Sequence, residues 1–239
     1  MGDLWSQFVE GVRSGCCSSA TYGLVKPGVE PWNGFQLERP KNFHEGLLFI
    51  LEAPPADTEH YFLKEDSDHS HPDRLRKKMY AAFQSVGSAP KFSNFDTFLD
   101  DFLNANCYLL PSFSYACARN DGTNTNPTAG MAKHSGEAHL SIAIRDLRPK
   151  VVVLMGTRAL AAGRAMSLVK EDLGKENLHT YARVEPYYST TFGFKIATFV
   201  TYWPMKRAKR ENYNRQKVNC YDGWLLPTLN ESFKMLHLR

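Results

Sequence analysis

Residues 139–166 read HLSIAIRDLRPKVVVLMGTRALAAGRAM, and they decide the fold class. Leu140, Ala143, Ile144 and Leu147 recur at the spacing of one helical face. Arg148-Pro149-Lys150 closes that helix, because the residue before a proline is pushed out of the α region. Val151–Met155 (VVVLM) is then an unbroken, largely β-branched apolar run, the signature of a strand buried on both faces. Gly156-Thr157 opens the next helix over RALAAGRAM, with Thr157 as the expected N-cap.

The same alternation extends in both directions. Leu47–Leu51 (LLFIL) predicts a buried strand that stops at Glu-Ala-Pro-Pro. Phe95, Phe98, Leu99, Phe102 and Leu103 mark a helical face, and Cys107–Leu110 (CYLL) a second strand ended by Pro111. Ile196–Tyr202 predicts a fourth strand, ended by Trp203-Pro204. Strands alternating with helices imply an α/β fold, here a three-layer α/β/α sandwich around a central, mostly parallel four-stranded sheet. Residues 1–44 predict a short helix followed by a Pro- and Gly-rich wrapping segment, and 45–239 the α/β core of a single domain. Sheets of this kind bind ligands at the carboxyl ends of their strands. That rule gathers 52–57, 111–115, 156–158 and 203–207 at one edge.

Composition narrows the function classes. The chain has 239 residues, 43% apolar and 23% charged, with a net charge of +4. Its mean hydropathy is −0.41, and no run approaches the ~18 apolar residues of a membrane helix. The start, MGDLWSQFVEG, lacks the apolar core of a signal peptide, so a cytoplasmic location is expected. Cys16, Cys17, Cys107, Cys117 and Cys220 form no CxxC pair and predict free thiols. The excess charge is local. Segment 205–217, MKRAKRENYNRQK, carries Lys206, Arg207, Lys209, Arg210, Arg215 and Lys217 against Glu211, leaving 23 basic and 24 acidic residues elsewhere. Such a run suits phosphate backbones, its structural alternative being a solvated basic helix. Its first residues fall at the expected ligand edge.

Glu52 directly follows the first strand. A carboxylate there either caps a helix or otherwise satisfies the structure, or it does acid–base work near a ligand. Pro54-Pro55 makes the loop beside it stiff. Gly156 and Thr157 lack a P-loop lysine but offer amides that could hold a phosphate at a helix N-terminus. No GxGxxG, GxxxxGK[ST], GxSxG or HExxH is present. His69 and His71 lie in a polar stretch, and His134 and His139 flank SGEA without a third ligand at recognisable spacing, so no metal and no cofactor are expected.

Three segments resemble the uracil-DNA glycosylase superfamily. LLFILEAPP resembles its first motif, in the branch whose strand ends in Gly-Glu-Ala-Pro-Gly; HLSIAIRDLRPKVVVLMGTRAL resembles that branch's helix, Arg-Pro-Lys, strand and Gly-Thr/Ala turn; and FVTYWPMKRAKREN stands where the family has its Tyr-His-Pro-Ser loop. The similarity spans roughly residues 46–210. It implies the family's central parallel sheet and an enzyme that flips a nucleotide from DNA and hydrolyses its N-glycosidic bond; DNA is the expected partner, and a monomer is expected. Glu52 then matches the catalytic carboxylate, with Asp57 and Glu59 as lesser candidates. Pro54 and Pro55 match the rigid loop against the DNA backbone, and Trp203-Pro204-Met205 the His-Pro-Ser position. Ala53, Phe62, Ser112 and Phe113, with Ser114, are candidates for the base pocket; core packing and loop hydrogen bonding are their structural alternatives. Gly156, Thr157, Lys206, Arg207, Lys209 and Arg210 are candidates for phosphate contacts.

The departures shape the substrate expected. The motif's two glycines are Leu51 and Pro55 here, and Pro111-Ser112 replaces the Asn that reads uracil. Trp203 replaces the loop's His, and the branch's four cluster-binding cysteines have no counterparts. A pocket without the Asn suits a modified base other than uracil, with glucosylated hydroxymethylcytosine, excised by anti-phage members of the superfamily, as one candidate. The alternatives are a catalytically inactive DNA-binding relative and a nucleoside N-ribohydrolase.

Overall fold

A computed structural model describes residues 3–13, 40–52, 62, 75–113, 117–118, 124–125, 127–170, 182–202, 209–211 and 217–237. Its strands in chain order are β1 (Leu47–Leu51), β2 (Cys107–Pro111), β3 (Cys117–Ala118), β4 (Asn124–Thr125), β5 (Val151–Met155), β6 (Arg183–Ser189), β7 (Ile196–Thr201), β8 (Lys209–Glu211) and β9 (Lys217–Asn219). The helices are α1 (Leu4–Arg13), α2 (Leu75–Ser85), α3 (Phe98–Asn104), α4 (Ala129–Ser135), α5 (Ser141–Leu147), α6 (Thr157–Ala165) and α7 (Leu226–His237). A π-helical turn, Gly136–Leu140, joins α4 to α5, and a second, Tyr221–Leu225, precedes α7.

The main sheet has five strands in the order β2-β1-β5-β7-β6. The four expected strands are the parallel ones. Leu47 pairs with Cys107 and Val151, and Val151 with Ala197. Every residue of β1, β2, β5 and β7 is buried, as continuous apolar strands require when helices cover them. The count of four is corrected by β6, which pairs antiparallel with β7 at the edge and is irregular between Arg183 and Tyr187. Its sequence, RVEPYYS, is half-exposed and broken by Pro186. A proline is tolerated there because an edge strand has one row of amides without a ladder partner. Pro111 belongs to β2 as its last residue for the same reason, β2 being the other edge.

Helices α6 and α7 both pack on β1 and β5, and α7 extends over β6 and β7. Leu140, Ala143, Ile144 and Leu147 are buried as their spacing predicts. The first helix is part of the core, since Trp5, Phe8 and Val12 are buried; the rest of the wrapping segment, 14–39, lies outside the described residues. An aromatic cluster of Phe49, Phe83, Phe98 and Phe102 fills the space between the sheet, α2 and α3, with Phe83 and Phe102 centroids 5.8 Å apart. No helix among the described residues is long and apolar enough to cross a membrane.

Candidate functional site

The strand order places a topological switch between β1 and β5. The chain leaving β1 returns as β2 on one side, and the chain leaving β5 returns on the other, first as the edge strand β6 and then as β7. Connections that diverge in this way leave a crevice outside the carboxyl ends of the two strands. The residues at its mouth are Glu52, after β1, and Gly156, after β5.

The backbone of Glu52 is held on the β2 side. The Ser112 amide donates to the Leu51 carbonyl (2.6 Å), and the Phe113 amide (3.1 Å) and Ser112 hydroxyl (2.6 Å) both donate to the Glu52 carbonyl. Its side chain turns to the β5 side and lies across Gly156. A Cβ at position 156 would meet Glu52 Oε1 at 3.1 Å and Cδ at 3.5 Å. Gly156 also adopts φ 97° and ψ 174°, a region that essentially only glycine occupies. The backbone conformation thus favours glycine, and a side chain there would press on the Glu52 carboxylate.

Gly156, not Thr157, is the N-cap of α6, and Thr157 is the first helical residue. No side chain of the cap itself accepts from the helix. The acceptor comes instead from Glu52, whose carboxylate takes the Arg158 amide. Open amides at a helix start need such a partner. Of the two amides of the expected phosphate site, that of Gly156 is engaged, donating to the Thr201 carbonyl (3.0 Å) within the β5–β7 pair.

Burial raises the Glu52 carboxyl above the ordinary value of 4.5, opposed by the charge and the backbone N–H of Arg158. Glu52, Gly156 and Arg158 together form a half-buried carboxylate, oriented by one backbone donor, beside a guanidinium. A carboxylate has room for about four hydrogen bonds, so capacity remains for a water or a ligand. Sequence reasoning does not single out Arg158 as a site residue; its place two residues after the strand-ending glycine is the available signal.

The other expected residues divide clearly. Ser112 is fully buried and its hydroxyl satisfies the Glu52 carbonyl, the structural alternative for that residue. Phe62 is buried edge-on against Phe98 and Phe102, with centroids 6.1 and 5.1 Å away, and Arg76 donates from Nε to its carbonyl at 2.8 Å. Phe113 is buried as well. Ala53, Pro54, Pro55, Asp57, Glu59, Ser114, Trp203, Pro204, Lys206 and Arg207 lie outside the described residues. Lys209 and Arg210 belong to β8, which pairs antiparallel with β9 from Lys209↔Asn219 to Glu211↔Lys217. The basic run is therefore a β-ribbon at its described positions, which corrects the helical alternative. A two-stranded ribbon sits as well in a DNA groove as a helix does.

His134 and His139 are five residues apart, and the π turn sets them edge to face with centroids 6.4 Å apart. Among the described residues no group of three His, Cys, Asp or Glu could hold a metal ion. Cys107 and Cys220 are both buried. No protein-family model and no curated protein matches this chain.

Proposed function

We propose that the protein is a DNA glycosylase of the uracil-DNA glycosylase type, a three-layer α/β/α enzyme that extrudes a nucleotide and hydrolyses its N-glycosidic bond to remove a modified base other than uracil. The observation that carries this reading is the Glu52 carboxylate, half-buried at the switch of the sheet and held over Gly156. The resemblance of LLFILEAPP to the superfamily's first motif assigns the catalytic carboxylate to the same residue.

The chemistry follows from charge. As the base departs, the deoxyribose gains oxocarbenium character. An oriented carboxylate in a desolvated crevice stabilises that cation and aligns a water towards C1′. The Arg158 amide sets the carboxylate's orientation, and the Arg158 charge favours its ionised form. Extruding the base costs a few kcal/mol, which phosphate contacts from the basic ribbon, starting at Lys209 and Arg210, offset. A bulky modified pyrimidine such as glucosylated hydroxymethylcytosine is the substrate class favoured by the absent Asn, and defence against phage DNA the matching role.

The test is mass spectrometry of bases released from duplexes carrying different modified pyrimidines. We expect release from at least one duplex and its loss in Glu52→Gln. Absence of release from every duplex defeats the proposal. A second reading is favoured by one observation: the Glu52 carboxylate accepts from a helix end, as a purely structural brace does. In that reading the protein is a non-catalytic DNA-binding relative, and it binds duplex DNA in a salt-sensitive way without releasing a base.

A further inference from the structure

We infer a second nucleic-acid contact, a track for single-stranded DNA on the amino-terminal edge of the sheet, opposite the Glu52 crevice. Strands β5 and β7 both begin at this edge. Over a five-residue strand it lies roughly 16 Å from the carboxyl ends. It is built from the end of α5 and the 190–195 turn between β6 and β7.

Three exposed cations stand over aromatic rings there. The Arg145 guanidinium lies 5.6 Å from the Phe192 ring centroid, and Arg148 5.2 Å from that of Phe194. Lys195 Nζ lies 4.4 Å from the ring of Tyr188, which is 51% exposed. The Phe192 and Phe194 rings are themselves neighbours, 6.3 Å apart. Among the described residues none of the three cations has a carboxylate partner. The nearest acidic residues along the chain are Asp146, half-buried and otherwise engaged, and Glu185, exposed on β6.

Arg148 combines a strained backbone with a ring contact. It caps α5 at φ 49° and ψ 54°, its amide donating to the Ile144 carbonyl at 2.9 Å. Glycine fills such a cap without strain. An arginine there accepts the strain and gains a guanidinium over Phe194. Stacking on a ring uses the guanidinium face and leaves its N–H edge for phosphate oxygens. Unpaired cations alternating with half-exposed rings match a flexible polyanion whose bases present π-faces. The choice of DNA over RNA rests on the proposed function; the track itself does not depend on base release.

The test uses the full chain and a fluorescent dT12 oligonucleotide, followed by anisotropy across a salt series. In Arg145→Glu/Arg148→Glu we expect about tenfold weaker binding and a salt slope lower by about 1.4, which is ~0.7 for each of two phosphates no longer neutralised. Tyr188→Ala weakens binding by about fivefold or more by removing the stacking platform. Arg148→Gly guards against misfolding, since it suits the left-handed cap; it should melt no lower than the parent and still bind dT12 more weakly. Base release from modified duplexes is measured separately from dT12 binding, so failure of the track and failure of the glycosylase reading are separate results. Unchanged dT12 affinity in Arg148→Gly and Tyr188→Ala overturns the inference. So does tighter binding of a U12 RNA or a glutamate 12-mer peptide than of dT12.

Discussion

The two flanks of β1 end differently. Towards β2 the ladder runs to Leu51↔Pro111 and continues through three further hydrogen bonds from Ser112 and Phe113. Towards β5 it stops one pair earlier, at Ile50↔Leu154, and two levels further on the Glu52 side chain lies over Gly156. The β2 flank is closed by backbone bonding and filled with aromatic core. The β5 flank is open at the backbone and holds a partly desolvated charge. The base-pocket candidates that the structure describes, Phe62, Ser112 and Phe113, all belong to the closed flank. Glu52 and Arg158 are the half-buried charged residues of the open flank.

The largest effect should come from the closed flank. Phe62→Ala removes a ring that is 2% exposed and packed on Phe98 and Phe102. We expect a loss of about 3–5 kcal/mol in denaturant unfolding, the range for a large aromatic deleted from a core. A Phe62→Ala protein of parental stability that had lost only base release would place Phe62 in the pocket and break the distinction between the flanks.

Gly156→Ala probes the open flank. The new Cβ would sit 3.1 Å from Glu52 Oε1 in a backbone region closed to alanine. Strain of about 1–3 kcal/mol should appear as a lower melting temperature. Base release should fall as well, since the carboxylate must move. Ser112→Ala returns to the closed flank with a smaller effect. It deletes one donor to the Glu52 carbonyl, which keeps the Phe113 amide at 3.1 Å. The expected loss is about 0.5–1.5 kcal/mol, with base release retained because the carboxylate keeps its place between Gly156 and Arg158. Strong loss of activity in Ser112→Ala at unchanged stability would make that hydroxyl part of the pocket.

What the sequence reveals follows the same division. Continuous apolar runs such as LLFIL and VVVLM have one comfortable environment, a parallel strand covered on both faces, so β1 and β5 are found residue for residue. The switch is then legible too, because Glu52 and Gly156-Thr157 follow those runs directly. Strand β6 is not, since Pro186 and half-exposed residues leave it neither a periodicity nor an apolar run. Nor does a sequence tell whether Phe62 faces a ligand or Phe102; both are apolar surfaces to a phenyl ring, and only the packing of α3 decides. Local rules point to Thr157 as the cap of α6 because they look only at neighbouring residues. The acceptor arrives from another strand, more than a hundred residues away in sequence.

Glu52→Gln should have the smallest effect on stability and the sharpest meaning. Burial raises the Glu52 carboxyl in the fold, so the native state binds its proton more tightly than the unfolded chain. The native state is then favoured in acid, and that advantage is lost as pH climbs from the unfolded value near 4.5 through the higher folded one. Glutamine keeps an acceptor for the Arg158 amide and removes the desolvated charge. At pH 7 to 8, well above the ordinary carboxyl value, the variant should therefore melt at or slightly above the parent, and below the ordinary value the two should converge. A structural brace gives the reverse. If the ionised carboxylate served mainly to anchor the start of α6, its charge would be net favourable, glutamine would lower the melting temperature at neutral pH, and the gap would close in acid. Melting curves of the two proteins across this range distinguish a carboxylate held at a cost for chemistry from one kept to hold a helix.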